Sequence, residues 1–254
     1  MKTIYYLDTT IQLSKLFAPQ NIRNHIKDQI EIHTCVTSRY VLMEYLRWLE
    51  PSIHLHQLLQ EEIDRDPITA LSEVQARILL TFGRQQNKMF TILMWLCRYY
   101  NHNIWNLFLQ LERLIEGQFK KLFYKDINEL SDSIACPLMD LHAILENTNY
   151  RLEPNIPYRQ GQMPCYIATF LNEHRLELKA LSEVLNAAYP KMAEACRRVL
   201  SKPEDAQGNI CKTLGDIIIA LQTPDEAILW TTDASFALIC PTLGIRHFRE
   251  PLSG

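Results

Sequence analysis

The sequence predicts an α/β fold, in which a parallel sheet of about four or five strands is flanked by helices and interrupted by a large all-helical insertion. Short apolar strands alternate with helices at both ends of the 254-residue chain, as parallel strands joined by helical crossovers require. Between these ends, long runs have apolar residues at helical spacing. The chain has only seven glycines, which favours long helices over turn-rich sheet because many tight turns need glycine.

The amino-terminal fifty residues predict two strands, each followed by a helix. Alternating apolar and polar residues indicate a half-buried strand, threonine and serine are common helix N-caps, and proline ends a helix. By these rules the elements are a strand over Ile4–Leu7, a helix over Thr10–Phe17, a strand over Ile30–Cys35, and a helix from Arg39 to Leu49 that is capped by Thr37 and Ser38 and ended by Pro51.

The middle of the chain predicts helices alone. Runs such as "LSEVQARILLTF" and "CYIATFLNEHRLELKALSEVLNAAY" have helical periodicity, with no repeat of fixed period and no convincing strand. A loop at 151–164, "RLEPNIPYRQGQMP", breaks this helical block in two. We therefore divide the chain into a discontinuous α/β core, residues 1–55 and 205–254, and a helical insertion, residues 56–204.

Strands return near the carboxyl-terminal end. A polar linker at 201–209, "SKPEDAQGN", leads to a helix over 210–222 that stops before Pro224. The predicted strands that follow are 227–232, "AILWTT", and a short final strand at 245–248, "IRHF". Together with the first two strands, they imply one parallel sheet with helices on its faces.

The composition narrows the class of protein. A formal net charge of −3 provides no global basic field for nucleic acid, and does not exclude it. Seven cysteines, an odd number without a C-x-x-C pair, fit reduced thiols better than a disulfide framework. We find no signal peptide, and the longest apolar run, "MFTILMWLC", is too short to span a bilayer. We expect a soluble, cytoplasmic protein with no membrane partner.

Four acidic residues are predicted to meet at one edge of the sheet. Asp8 follows the first strand and Asp233 follows "ILWTT", and the carboxyl ends of parallel strands lie at the same edge. Glu44 and Asp216 lie on helices that flank this edge, and Asp216 is off the apolar stripe of its helix. These four side chains are the candidate site.

Clustered carboxylates repel one another unless a cation neutralises them. Hard divalent metals with oxygen ligands, Mg²⁺ or Mn²⁺, suit such a cluster. A metal held in this way can activate water and stabilise an in-line phosphoryl displacement. Thr232, next to Asp233, offers a hydroxyl that can orient a carboxylate or a phosphate oxygen.

The order and context of these acids resemble the PIN domain family of metal-dependent nucleases. "YYLDTT" is similar to the family's first strand and first acid, and "TSRYVLMEYL" to its second-acid helix. "GDIIIAL" followed by "ILWTTDASFALICPTLGIR" is the most similar part. The resemblance covers roughly the first and last fifty residues. About 170 residues separate Glu44 from Asp216, far more than is usual in the family, so the insertion would cap, widen or close the active-site groove.

The resemblance implies a function and a set of partners. The chain would be a divalent-metal-dependent endonuclease, a ribonuclease, that hydrolyses phosphodiester bonds with Mg²⁺ or Mn²⁺. Asp8, Glu44, Asp216 and Asp233 would hold the metal, and Thr232 would assist catalysis. The partners implied are nucleic acid, RNA rather than DNA, together with a protein regulator of the antitoxin type and a second copy of the chain.

Other interpretations stay open. Each acid alone reads as a surface carboxylate, with Lys212 as a partner for Asp216 and Arg47 as a partner for Glu44. A catalytically inactive PIN-like scaffold, which binds a protein or nucleic acid through the helical insertion, is the alternative function. An enzyme with a nucleotide cofactor is disfavoured because the strand-to-helix junctions lack G-x-G-x-x-G and G-x-x-x-x-G-K-[ST].

Two further motifs give weak signals. His54 and His56 are two residues apart on a predicted helix and point to different faces, so we expect them at the surface or its boundary rather than on zinc. "FKKLFYK", residues 119–125, mixes basic and aromatic residues and is a candidate contact for a phosphate backbone. A solvated helix face with buried phenylalanines is the favoured interpretation.

Overall fold

The fold contains a five-stranded parallel sheet that is flanked by helices. The computed structural model describes residues 2–81, 85–100, 102–131, 134, 141–146, 149–154, 166–206 and 208–250. The strands in these residues are β1 (Ile4–Leu7), β2 (Thr34–Ser38), β3 (Glu129–Ser131), β4 (Leu141–Glu146), β5 (Asn149–Pro154), β6 (Ile228–Thr231) and β7 (His247–Arg249). The sheet has the order β3-β2-β1-β6-β7 with all neighbours parallel, and β4 and β5 form a separate antiparallel hairpin. The predicted α/β class with a parallel sheet is confirmed.

Helices make up most of the rest of the described chain. They are α1 (Thr9–Phe17), α2 (Gln20–Ile32), α3 (Arg39–Leu46), α4 (Leu49–Glu61), α5 (Pro67–Thr81), α6 (Gln86–Tyr100), α7 (Ile104–Arg113), α8 (Phe119–Tyr124), α9 (Tyr166–Glu173), α10 (Arg175–Val184), α11 (Pro190–Ser201), α12 (Asn209–Thr213), α13 (Gly215–Leu221) and α14 (Phe236–Leu243). No helix in the described ranges is both long and apolar enough to cross a bilayer.

Apolar side chains cover both faces of the sheet. On β1, Tyr6 packs into a large core that includes residues of α3 to α11, whereas Leu7 packs with Ile11 and Ile26 from α1 and α2. Successive residues of a strand point to opposite faces, so β1 contributes to both cores. Burial on both faces is characteristic of a parallel sheet.

The second strand lies four residues later than predicted at its start. Ile30 belongs to α2, where it is buried with Ile22 and Ile26 at four-residue spacing, and the strand is β2, Thr34–Ser38. The alternation over Ile30–Cys35, which predicts a strand, is the last turn of α2 followed by the first residues of β2. A four-residue repeat is the helical signal, and it extends further back along the chain than the alternation does.

The helix after β2 is capped as predicted and then ends early. The Ser38 hydroxyl accepts a hydrogen bond from the N–H of Val41 at 3.3 Å, as an N-cap does. The helix α3 ends at Leu46, and Pro51 lies in the first turn of α4 instead of ending a helix. Proline is tolerated there because an N–H in the first turn has no helical acceptor.

The prediction that the middle of the chain is all helical is wrong, because β3, β4 and β5 lie within it. Strand β3 lies inside the predicted insertion and extends the main sheet, with Val36 opposite Glu129. Asn128 fixes this edge, because its Oδ1 accepts from the N–H of Cys35 and its N–H donates to the Cys35 carbonyl, both at 2.8 Å. A three-residue strand is too short for periodicity to reveal. The predicted loop at 151–164 begins within β5, and its residues 155–164 lie outside the described residues.

The carboxyl-terminal elements follow the predicted order with changed bounds. The expected helix over 210–222 is two helices, α12 and α13, and the expected strand at 227–232 is β6. The final strand is β7, His247–Arg249, slightly later than the predicted 245–248. Helix α14 precedes it and ends at Leu243, where Gly244 follows with a left-handed φ of 69°, a common helix ending.

The phenylalanines of the motif "FKKLFYK" have a structural role. Phe119 and Phe123 are buried, and their rings lie 4.7 and 5.2 Å from the Tyr45 ring. These contacts pack α8 against α3, as the favoured interpretation of the motif requires.

His56 is buried in the helical part of the molecule. Its ring centroid lies 4.3 Å from that of Phe108 and 5.1 Å from that of Tyr150. Neither ring nitrogen has a hydrogen-bond partner among the described residues, and burial lowers the pKa of His56 to about 4 against the opposing charge of Glu116. Our expectation of a surface or boundary position for His56 is wrong, because other elements of the helical part enclose this face of α4.

We expect the wild type to lose stability at acid pH because of His56, and the variant His56→Leu to lack this loss. The folded state has a His56 pKa of about 4 and the unfolded chain about 6.5, so the unfolded state binds more protons between these values. Titration of His56 therefore does not reduce the free energy of unfolding above about pH 6.5. Below this value the free energy of unfolding falls with the pH, and the loss is about 1–2 kcal/mol at about pH 5. Urea unfolding of both proteins across this range measures the difference.

His54→Leu, on the same helix and only half-buried, is the matched control and should keep the wild-type pH dependence. Identical pH profiles for wild type and His56→Leu would contradict a buried, neutral His56.

Candidate active site

Asp8 occupies the turn between β1 and α1. Its N–H donates to the Trp230 carbonyl at 3.1 Å, which ties the end of β1 to β6, and its side chain caps α1 by accepting from the N–H of Thr9 at 2.5 Å. The hydroxyls of Thr10 and Thr231 each donate to Asp8 Oδ2 at 2.7 Å. The residue is 2 % exposed. Burial raises the pKa of Asp8, and these hydrogen bonds oppose the increase.

Glu44 is joined to Asp8 through Thr9. The Thr9 hydroxyl donates to Glu44 Oε2 at 3.1 Å, while the N–H of the same residue donates to Asp8. Arg47 Nη1 lies 3.8 Å from Glu44 Oε1, so the ion pair that we had left open as an alternative is present. A Cβ on Gly215 would lie only 2.5 Å from Glu44 Oε1. Glycine at the start of α13 therefore allows this helix to contact the Glu44 carboxylate.

Asp216 and Asp233 are joined through Ser235. The Ser235 hydroxyl donates to Asp216 Oδ2 at 2.6 Å, and the N–H of Ser235 donates to Asp233 Oδ1 at 2.9 Å. The N–H of Asp233 in turn donates to the Thr231 hydroxyl at 3.0 Å. The hydrogen bond to Asp216 thus comes from Ser235 rather than from Lys212, the partner that we had considered.

These contacts form one continuous network, which we call the acidic network. It runs from Glu44 through Thr9 to Asp8, from Asp8 through Thr231 to Asp233, and from Asp233 through Ser235 to Asp216. All four predicted acids are therefore brought together at the carboxyl edge of the sheet, although the chain separates them widely.

The charges of these acids act on one another. Burial, together with the negative charges of Asp8 and Asp216, raises the pKa of Glu44 to about 7 against the effect of Arg47. Burial also raises the pKa of Asp216 to about 7, and the charges of Asp8 and Asp233 add to the increase, while the Ser235 hydrogen bond opposes it. Such mutual effects are those expected of carboxylates that share one site.

Of the two threonines at the end of β6, Thr231 and not the expected Thr232 donates its hydroxyl to Asp8. Thr232 enters the network through its backbone, because its N–H donates to the Thr10 hydroxyl at 3.0 Å. Thr231 is the last residue of β6 and is fully buried. Its hydroxyl lies beside Asp8 because β6 pairs directly with β1.

Sequence reasoning missed several hydroxyl side chains of the network. They stand next to the acids in the motifs "LDTT" and "TTDAS", where serine and threonine readily bond to nearby backbone and carboxylate groups. Local spacing therefore contained a signal for the residues closest in sequence. The residues concerned are Thr9, Thr10, Thr231 and Ser235.

The site has carboxylate oxygens that can bind a metal ion, but its described side chains are not arranged as a complete ligand set. In the described part of the chain, no three side chains of His, Cys, Asp or Glu are arranged to hold a metal ion. Mg²⁺ usually binds one or two protein carboxylates and keeps water as its other ligands. Two half-buried carboxylates with pKa values near 7 are also groups that a cation would help to ionise. The donor chemistry thus fits a hard divalent cation.

We expect Glu44→Gln and Asp216→Asn to stabilise the metal-free protein at neutral and alkaline pH. Each folded-state pKa is about 7, above the unfolded value of about 4, so the folded state binds more protons between these values. The wild type should lose stability as the pH rises through this window, and each variant should gain about 1–3 kcal/mol at about pH 8. Urea unfolding in EDTA measures the gain.

The exposed changes Glu173→Gln and Asp28→Asn are matched controls, which should shift stability little. A loss of stability in both Glu44→Gln and Asp216→Asn at alkaline pH would show that the network stabilises the ionised acids instead.

Comparison of this chain with protein-family models, with curated proteins and with solved structures found no match. The function of the site therefore has to be inferred from its own geometry and chemistry.

Proposed function

We propose that the protein is a divalent-metal-dependent nuclease of PIN-like type, which hydrolyses phosphodiester bonds in RNA. The observation that carries the proposal is the acidic network, in which two acids at the ends of neighbouring parallel strands and two acids from flanking helices form one hydrogen-bonded group. Ligands commonly bind at this edge of an open parallel sheet. The choice of RNA over DNA rests on the resemblance of the motifs.

Asp8, Glu44, Asp216 and Asp233 would hold Mg²⁺ or Mn²⁺. The cation would neutralise the cluster, lower the pKa of attacking water and stabilise charge on the leaving oxygen. The protein would supply fixed geometry: Thr9, Thr10 and Thr231 hold the Asp8 carboxylate in place. Ser235 holds Asp216 and Asp233 relative to each other. Side chains locked in this way are what a preorganised site requires.

Basic residues around the acidic network would suit an anionic substrate. Arg47 lies 3.8 Å from Glu44, and Lys88 Nζ lies 5.2 Å from the centre of the neighbouring Trp48 ring. Burial lowers the pKa of Lys88, and the charges of Arg47, Glu44 and Lys212 act on it as well. Cations next to an acidic site can bind the phosphates that flank the bond to be cut.

We expect Asp8→Asn and Asp233→Asn each to abolish cleavage of single-stranded RNA. Each change removes a negative charge with almost no change in volume, so the fold should be kept while metal binding is lost. The double variant should lose little more than either single one, because ligands of one metal act as a unit. Cleavage assays with Mg²⁺ or Mn²⁺, and with EDTA as a metal-free control, measure the effect.

Asp28→Asn, on the exposed face of α2, is the matched control and should cleave like the wild type. Wild-type protein that binds RNA and cuts neither RNA nor DNA with either metal would contradict the proposed activity.

A scaffold without catalytic activity is the second candidate. Arg47 already places a cation beside Glu44, and no complete ligand set is formed in the described residues. The helical part also has exposed apolar side chains that suit a partner, since Ile68 and Leu80 on α5 are 79 % and 87 % exposed. In this case the helical insertion would bind the partner.

Stabilisation by metal separates the two candidates. A ligand that binds only the folded state stabilises it by about 2.7 kcal/mol at a concentration one hundred times its Kd. We therefore expect Mg²⁺ or Mn²⁺ to raise the thermal midpoint of the wild type, and to have no effect on the double variant Asp8→Asn/Asp233→Asn. A wild-type midpoint that neither metal changes would favour the scaffold.

A further inference from the structure

A cleft lies between α1, α2 and the end of α8 with the segment that follows it, and we call it the α1–α2 cleft. Its volume is about 320 Å³, within the roughly 300–1,000 Å³ typical of small-molecule sites. It is lined by residues of α1 and α2 and by Leu122, Lys125 and Asp126, and none of the four acids of the acidic network lines it. The cleft is thus separate from the proposed active site.

Gln12 gives the cleft a buried polar group that needs a partner. The residue is 1 % exposed and lines the cleft, and neither its Oε1 nor its Nε2 has a hydrogen-bond partner among the described residues. A buried amide without partners is costly and therefore rare in proteins. A ligand in the cleft could both donate to and accept from this amide.

The cleft is also positively charged. Four basic side chains line it against two acidic ones, and both acids already have lysine partners. Lys15 Nζ is 3.3 Å from Asp126, and Lys27 Nζ is 3.6 Å from Glu31. The remaining basic residues, Arg23 and Lys125, leave the cleft with a net positive charge.

The Arg23 guanidinium is held over the Tyr99 ring, and its Nη2 donates to Gln20 Oε1. Its guanidinium carbon lies 4.4 Å from the centre of the Tyr99 ring, and a stacked guanidinium keeps its donors in a fixed plane. Its Nε is buried and has no partner in the described part of the chain. Arg23 Nε and the Gln12 amide are therefore two polar groups of the same cleft with unused donors.

We propose that the α1–α2 cleft binds a small organic phosphate, with Arg23 and Lys125 on the phosphate and the Gln12 amide on the polar body of the molecule. Guanidinium groups bind phosphate through charge-assisted hydrogen bonds, and the apolar side chains of Leu16, Ile30 and Leu122 would contact the remainder of the ligand. This inference does not depend on the proposed nuclease activity.

The probes are adenosine 5′-monophosphate, adenosine and inorganic phosphate, each added to the full chain in EDTA so that no divalent metal contributes. We expect the monophosphate to raise the thermal midpoint in a saturable way, adenosine to leave it unchanged, and inorganic phosphate to act more weakly. Calorimetric titration gives the Kd.

Two variants test the assigned groups. Arg23→Gln removes the charge and should weaken monophosphate binding about tenfold or more. Gln12→Leu should weaken it as well, and should raise the midpoint without ligand because an unpartnered amide is replaced by an apolar group of similar size. Lys191→Gln, on the exposed face of α11, removes one positive charge elsewhere and should have no effect.

Absence of saturable binding by the monophosphate would overturn the proposal. So would a monophosphate Kd that Arg23→Gln and Gln12→Leu both leave unchanged, since the anion would then bind elsewhere on the protein.

Discussion

The parallel pairing of β1 with β6 is the contact on which the candidate active site depends. Tyr6 lies opposite Leu229 and Leu7 opposite Trp230, and this register places the Thr231 hydroxyl 2.7 Å from Asp8 Oδ2. A slip of one residue would turn every side chain of a strand to the other face. Because β1 contributes to apolar cores on both faces of the sheet, such a slip would also expose core residues. Packing of the core thus fixes the geometry of the site.

The ionised acids of the candidate active site lower the stability of the fold. Burial and mutual repulsion raise the pKa values of Glu44 and Asp216 to about 7, so their ionised forms cost free energy at neutral pH. Hydroxyl and backbone amide donors reduce this cost at Asp8. A side chain at residue 215 would keep α13 away from the Glu44 carboxylate, and Gly215 allows the approach. Carboxylates kept together under these conditions are candidates for a functional site.

Helix α1 takes part in both candidate sites. Thr9 and Thr10, at its start, bond to the acids of the network, whereas Gln12 and Lys15, one turn later, line the α1–α2 cleft. The first contacts depend on the helix beginning at the carboxyl end of β1, where Asp8 caps it. The positions of Gln12 and Lys15 in the cleft depend on the packing of α2 against α1. One short helix therefore connects two sites of opposite charge.

The sequence by itself determined the class of fold, the approximate places of four sheet strands along the chain and the four acids. Their signals are local, because an apolar run followed by Asp8 or Asp233 shows a strand end and its acid within a few residues. Only the tertiary structure decided which groups meet. The addition of β3 to the sheet, the choice of Thr231 over Thr232 beside Asp8, the burial of His56 and the α1–α2 cleft all depend on residues far apart in the chain. The periodicity of one segment does not say which other segments lie next to it in space. Strand pairing and helix packing decide those neighbours.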